Sequence, residues 1–319
     1  MNSKKNAILA SACVALFFAP FQAIAQQTQI PAQQAHKSME AWAARPAKLL
    51  PYVPPNRLVW RLAEILAAHH GQQDWTQSVV STRDFIGQWI SLAPHEKTKT
   101  EFYADDRIFF VVQQGSLRVT IDGQEPFVAT KGFLVQVPER VPYSMETVSD
   151  TPSLRFEVRP SGEAPQYPIS ETPTPYPGIK YERATYSAGP GHYDNTNRPY
   201  IDFETQVVQN GEKIGVWVQD DHTAANILRS QHGVPTPPPT SWGHFHENFP
   251  EFWFILEGTQ QFLVEGEPLV TVVQGDIVAT PIGRWHRASA AGDGPSTRIA
   301  IIPRPNNLHW FQVGASAGD

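Results

Sequence analysis

Cysteine is all but missing: 319 residues contain one, Cys13. A chain without a cysteine pair has no disulfide framework, and a lone thiol offers no thiolate cluster to a metal. Basic residues are also scarce. There are 25 Lys and Arg against 31 Asp and Glu, a formal net charge of −6, and no basic run occurs. This balance argues against nucleic acid or an anionic membrane as a partner. Long apolar runs are the third absence. The best candidate, residues 7–18, is too short for a bilayer span; Lys4 and Lys5 precede it, and Ala23-Ile24-Ala25 follows. Charged start, apolar stretch and small-X-small site together read as a secretory signal peptide over residues 1–25, which implies a periplasmic or secreted protein. Cys13 would leave with it. Intact-mass measurement on exported protein should therefore give a chain beginning at Gln26; retention of residues 1–25 would overturn the assignment.

What remains is room for two modest domains. Residues 26–71 divide into a Gln-, Ala- and Pro-rich arm to residue 55 and a helix. Asn56 is placed to cap that helix, Leu58, Leu62, Ile65 and Leu66 recur at helical spacing, and Gly71 lies beyond its end. His69 and His70 fall in its last turn, where polar or cationic imidazoles suit the helix dipole. From about residue 72 the pattern becomes short alternating strands with turns; Asp122-Gly123 is a hairpin signal between residues 117–121 and 126–128. Residues 161–200 form a Pro-rich linker. Its loop Gly189-Pro-Gly-His192-Tyr-Asp194 carries site-like residue types, with an ordinary solvated loop as the equal alternative. After it, strands are expected near 203–208, 215–219, 226–230, 241–247, 251–256, 260–264, 269–273, 276–279, 287–290 and 297–302, and residues 306–319 form a tail.

One stretch organises the rest: Gly243-His-Phe-His-Glu-Asn-Phe-Pro-Glu251-Phe-Trp-Phe-Ile-Leu-Glu-Gly258, answered by Gly275-Asp-Ile-Val-Ala-Thr-Pro281-Ile-Gly283-Arg-Trp-His286. On a strand side chains alternate between faces, so His244 and His246 point one way and Phe245 the other. Glu251 opens the next strand, and His286 follows a Pro-X-Gly turn. Three imidazoles and a carboxylate converging from several strands suit one divalent transition metal (Fe, Mn, Cu or Ni) with coordination positions left open. His222, His232 and His309 have no partner at metal spacing and read as surface or core histidines. Alternation from Glu251 also sets Trp253 and Ile255 on the inner face, and Trp285 flanks the motif. These three are the candidate pocket residues.

These residues resemble the two motifs of the cupin superfamily, G(X)5HXH(X)3-4E(X)6G and G(X)5PXG(X)2H(X)3N. From His244 to Gly258 and from Gly275 to His286 the match is in register. The opening Gly of the first motif falls on Pro238 and the closing Asn of the second on Ala290, neither of them a ligand position. The resemblance implies an all-β fold of two tandem jelly-roll barrels with a short N-terminal helix, a metal-binding barrel over 201–305 and a degenerate one over 72–160. Aligning Gly115 with Gly258 sets Glu101, Tyr103 and Ile108 against His244, His246 and Glu251; aligning Gly132 with Gly275 sets Arg140 against Gly283 and Tyr143 against His286. Tyr, Ile and Tyr cannot reproduce the ligand set.

The superfamily hosts dioxygenases, decarboxylases, lyases, isomerases and binding proteins on one site, so fold does not choose among them. The aromatic surroundings favour a dioxygenase-like oxidoreductase acting on a small organic, aromatic substrate, with Glu251 as metal ligand or base. A metal-dependent decarboxylase or lyase of a small carboxylic acid comes second, because the Arg that oxalate decarboxylases carry before the His pair is missing from Thr240-Ser-Trp-Gly243. Arg284, Arg287 and Arg298 are substitutes, the first two read rather as exposed turn residues. A non-catalytic metal or ligand binder comes third, and a homo-oligomer is left open.

Overall fold

A computed structural model describes residues 40–231, 242–304 and 308–313. From Trp42 onward the chain forms one unit. It holds β1 (Val59–Trp60), α1 (Leu62–Ala68), and then a first barrel: β2 (Trp75–Ser81), β3 (Phe85–Leu92), β4 (Ile108–Gln114), β5 (Ser116–Ile121), β6 (Phe127–Thr130), β7 (Phe133–Val137), β8 (Tyr143–Thr147) and β9 (Ser153–Pro160). After the linker come β10 (Tyr200–Asp202), a π-helix (Phe203–Gln209), β11 (Val216–Gln219) and β12 (Thr223–Ser230). The second barrel continues with β13 (His244–Phe245), β14 (Glu251–Glu257), β15 (Thr259–Val264), β16 (Val270–Val273), β17 (Ile277–Thr280), β18 (His286–Ala291), β19 (Ser296–Pro303) and β20 (Trp310–Phe311). No helix among the described residues is long and apolar enough to cross a membrane.

Each barrel has a broad sheet and a narrow one. The broad sheets run β10-β7-β4-β9-β3-β2 and β1-β17-β14-β19-β12-β11; the narrow ones are β6-β5-β8 and β16-β15-β18-β13-β20. Alternation gives the central broad-sheet strands, β4 and β9 in one barrel and β14 and β19 in the other, two buried faces. One face fills its own barrel: Phe110 and Val112 with Val119 and Met145 of the narrow sheet in the first, Trp253, Ile255 and Val278 with Phe262 of the narrow sheet in the second. The other face packs sheet against sheet, where Trp89, Phe109 and Phe156 meet Trp217, Phe252, Phe254 and Ile299 in one shared apolar layer.

The barrels also exchange strands. β1 precedes the first barrel in sequence but pairs with β17 of the second, Val59 opposite Val278. β10 precedes the second and pairs with β7 of the first, Tyr200 opposite Val135. The two pairings sit at equivalent registers, three residues beyond Gly275 and Gly132, so the duplication extends to the connections.

Two sequence expectations are corrected here. The helix does not start at Asn56. Its side-chain amide instead donates to Ser81 O (2.6 Å) and accepts from Ser81 N (2.8 Å), while Leu58 O accepts from Ala279 N. Residues 58–60 are thus held extended along β17, and α1 begins at Leu62, whose N–H donates to Asp276 Oδ1 (3.1 Å). Residues 203–208 are helical, not a strand. Asp202 caps them by accepting from Thr205 N (3.1 Å), and Phe203 and Val207, four apart, bury one face. The arm is also less loose than its composition suggests: Tyr52 donates to Ala279 O (3.0 Å), and Arg284 donates to Leu50 O (2.7 Å).

In the first barrel Tyr103 and Tyr143 are buried with Ile108. Glu101 and Tyr143 face each other across an isolated bridge, and the Tyr143 hydroxyl donates to Glu101 Oε1 (3.0 Å). Burial, with the nearby Glu157 charge, pushes the Glu101 carboxyl up to about 6 despite that bond. A carboxyl harder to ionise in the fold than in the open chain stabilises at low pH, and the contribution is lost as pH rises from about 4.5 through 6. Glu101→Gln removes this loss. Urea melts of both proteins should show the variant gaining on wild type between pH 4.5 and 7; a constant difference would show that Glu101 ionises freely.

Candidate metal centre

The site is assembled at one end of the second barrel. Gly243 sits at φ +78°, and a Cβ there would lie 2.2 Å from His286 O; only glycine lets β13 come close enough to pair His244 with His286. His246 follows after β13, Glu251 starts β14, and His286 starts β18. His246, Glu251 and His286 are almost fully buried, whereas the His244 side chain remains 20% exposed. The site is therefore approached from the His244 side.

One ligand atom from each of the four residues lies within 4.8 Å of the others. Glu251 Oε2 is the common neighbour: 2.8 Å from His246 Nε2, 3.2 Å from His286 Nε2 and 3.8 Å from His244 Nε2. His286 Nε2 and His244 Nε2 are 3.0 Å apart. The outer ring nitrogens are committed elsewhere, His286 Nδ1 to Arg284 O (2.9 Å) and His246 Nδ1 to Leu308 O (3.3 Å). A carbonyl only accepts, so both Nδ1 atoms carry the proton and both Nε2 atoms present lone pairs. Those lone pairs then face a carboxylate oxygen and one another, an arrangement of acceptors that a shared cation resolves. The donor set fits a divalent transition metal.

The protonation states agree. Burial pushes the His244 imidazole down to about 4, partly offset by Glu251, so the ring is neutral at pH 7. Burial alone would raise the Glu251 carboxyl, but the three imidazoles gathered around it outweigh that and hold the group well below the usual carboxylate range. Such a carboxylate is a weak proton acceptor. Its geometry favours ligand over base.

Of the pocket residues, Trp253 stands with its ring edge-on to His286 at 5.3 Å between centroids, and Ile255 lies deeper in the same core. Trp285 is a correction. His286 points inward, so its neighbour points outward, and Trp285 packs on Phe245 (4.9 Å), behind the ligand strand. Arg284 is corrected too. It is buried and bonded to Glu267 and Leu50 rather than exposed. His309, expected to be a surface or core histidine, lies beside the site without joining the ligand group, its ring 4.5 Å from His246 and 4.7 Å from His244. The end of the chain brings it there: β20 pairs with β13, Phe245 opposite Trp310. Phe249 stacks on His246 at 4.2 Å and Phe311 flanks His244 at 5.2 Å, so aromatic rings line the approach. Nothing in local spacing announced His309, because a strand pairing some 60 residues away supplies it.

Other sequence candidates lie elsewhere. His69 stacks on Trp75 and bonds to Gln77. His192, Asp194 and His222 line a separate polar cavity of about 480 Å³ with Asp106, Arg107 and Asp220. A second cavity, about 390 Å³, lies between Tyr52, Val80, Phe252 and Ile282 and reaches Glu251; it opens on the Phe252 side of β14, the face turned to the first barrel. His232 falls outside the described residues.

The fold is two barrels, and among the described residues one group, in the second barrel, could hold a metal ion. Residues 235–302 match the family model for the Cupin domain. The fold is similar to that of salicylate 1,2-dioxygenase from Pseudaminobacter salicylatoxidans, with a TM-score of 0.56 and 12% identity over 83% of this chain and 87% of that one. A single-residue variant of oxalate decarboxylase from Bacillus subtilis gives a TM-score of 0.50 and 15% identity over 87% and 88%. At such identities the likeness concerns fold alone. No curated protein sequence matches the chain. Residues 235–302 thus carry a Cupin domain within a chain that has a two-barrel fold, and the complete His-X-His, Glu and His set lies in the second barrel.

His246→Ala should remove most bound metal while leaving far-ultraviolet circular dichroism and cooperative melting in place, since the barrel cores do not depend on the ligands. Tyr143→Phe should keep the metal content at one per chain. Two metals per wild-type chain by elemental analysis would contradict the single site.

Proposed function

We propose that the protein is a metal-dependent oxidoreductase, dioxygenase-like in type, acting on a small aromatic substrate in the periplasm or outside the cell. The convergence of His244, His246, His286 and Glu251 beneath an aromatic approach carries this reading. When bound, a divalent ion such as Fe, Mn, Cu or Ni would supply Lewis acidity and, for the redox-active ions, electrons for dioxygen chemistry. The chain's own residues do the rest. His246 and His286 are oriented by their carbonyl bonds, and Glu251 supplies the one negative charge. Trp253, Phe249 and Phe311 exclude water and offer ring faces to an aromatic substrate. The exposed edge of His244 marks where substrate enters. Fold likeness to an oxalate decarboxylase as well as to a dioxygenase keeps decarboxylation as the second reading.

Glu251→Gln separates catalysis from binding. Three imidazoles still hold metal, but the charge is gone, so turnover should fall by about 100-fold or more while occupancy falls much less. A binding protein would instead show ligand affinity tracking occupancy. Oxygen uptake coupled to turnover supports the oxidative reading. Carbon dioxide release without oxygen would move the assignment to decarboxylase.

A further inference from the structure

The two barrels share a register, so each interior position of one has a counterpart in the other. Arg155 of β9 lies opposite Val112 of β4 and Ile90 of β3; Arg298 of β19 lies opposite Ile255 of β14 and Leu228 of β12. The two arginines are equivalent. In the first barrel Arg155 is neutralised from within: its Nε donates to Glu157 Oε2 (2.9 Å), whose other oxygen accepts from Gln88 (3.2 Å). Glu157 lies opposite Phe110, and its counterpart opposite Trp253 is Ala300. The second barrel has thus kept the arginine and lost its counterion.

Arg298 Nη1 reaches only the neutral Gln260 Oε1 (3.3 Å), its buried Nε has no partner, and among the described residues no carboxylate pairs with it. Burial disfavours its charge, and the field of Glu251 from within the same barrel opposes that. The interior is also recut beside it. Met145 and Leu117 of the first barrel correspond to Ala288 and Gln260 of the second, so Met145 and Glu157 give way to alanines while their cross-strand partners Val119 and Phe110 become Phe262 and Trp253. Those alanines lie between the ligand row and the arginine row. A strand rises about 3.3 Å per residue, so Ala290, paired with Gln260, lies roughly 13 Å along β18 from His286.

We propose that Arg298 is the anion-recognising residue of the metal barrel, and that the substrate is a small carboxylic acid whose carboxylate occupies the place left by Glu157's missing counterpart, with its other end at the metal. This deepens the metal-centre reading and rests on it. A largely buried guanidinium without a counterion binds a carboxylate more tightly than its neutral isostere.

The test uses metal-loaded full-length protein and titration calorimetry with benzoate, salicylate and oxalate, each against its neutral amide. At least one acid should bind saturably, and more tightly than its amide. Arg298→Gln should lower that acid's affinity by about 10- to 100-fold, to the level of the amide, with metal content unchanged. Ala300→Glu, which restores the internal counterion, should do the same. No saturable binding by any of the acids, equal affinity for acid and amide, or an Arg298→Gln variant that binds the acid like wild type would each overturn the proposal. Loss of metal from the wild-type protein itself would instead count against the metal-centre reading.

Discussion

The apolar layer between the two broad sheets is the constraint from which the rest follows. Phe109, Trp89 and Phe156 on one side and Phe252, Phe254 and Trp217 on the other are fully buried. A central strand in such a sheet has no solvent face, so its two sides must serve two interiors. On β14 this fixes Phe252, Phe254 and Leu256 in the layer and leaves Glu251, Trp253 and Ile255 to the second barrel. A one-residue slip would bury Glu251 among phenylalanines and send Trp253 away from the metal site. The layer therefore sets the register that aims the carboxylate, and the exchanged strands β1 and β10 fasten each barrel to the sequence that precedes the other.

Against that common frame the barrels have diverged by substitution at inward positions. The pair that closes one end of the first barrel is a tyrosine bonded to a glutamate; in the second it is His286 facing His244. Deeper down, Met145 and Glu157 of the first interior are Ala288 and Ala300 in the second, with Phe262 and Trp253 set opposite them in place of Val119 and Phe110. One barrel has become a plugged structural partner whose buried charges answer each other, the other a lined site with charges unanswered. Arg140 shows the same drift in a turn. It adopts φ 57° where Gly283 adopts φ 75°, and the backbone shape survives at the modest cost of a left-handed arginine.

The ligand set was legible because its spacing is local: His244, His246 and Glu251 follow one another across a single turn, and His286 follows a glycine turn of its own. The barrel strands were legible for the same reason, with boundaries within a residue or two for β14, β15, β16 and β19. What sequence could not supply were features set by partners far along the chain. Asn56 has the chemistry of a helix cap, and the segment before α1 is extended only because Ser81 and β17 lie beside it. Residues 203–208 look β-branched, and a cap from Asp202 with two buried residues four apart made them helical. Trp285 was misplaced by proximity to the motif, although alternation from His286 already pointed it outward.

The second motif illustrates how little of such a signature belongs to the metal. Only His286 supplies a ligand. Asp276 is buried and bonds to Arg61 Nη1 (2.8 Å), Leu62 N (3.1 Å) and Val273 N (3.0 Å), so it caps the helix that arrives from the other end of the chain. Gly283 leaves room for the arm, since a Cβ there would lie 2.5 Å from Pro46, and Arg284 then clamps that arm through Leu50 while its own carbonyl accepts from His286 Nδ1. The contact that fixes the tautomer of a ligand is thus made by the residue that fastens the arm. Disturbing the arm would reach the metal through the Arg284 backbone, without touching a ligand.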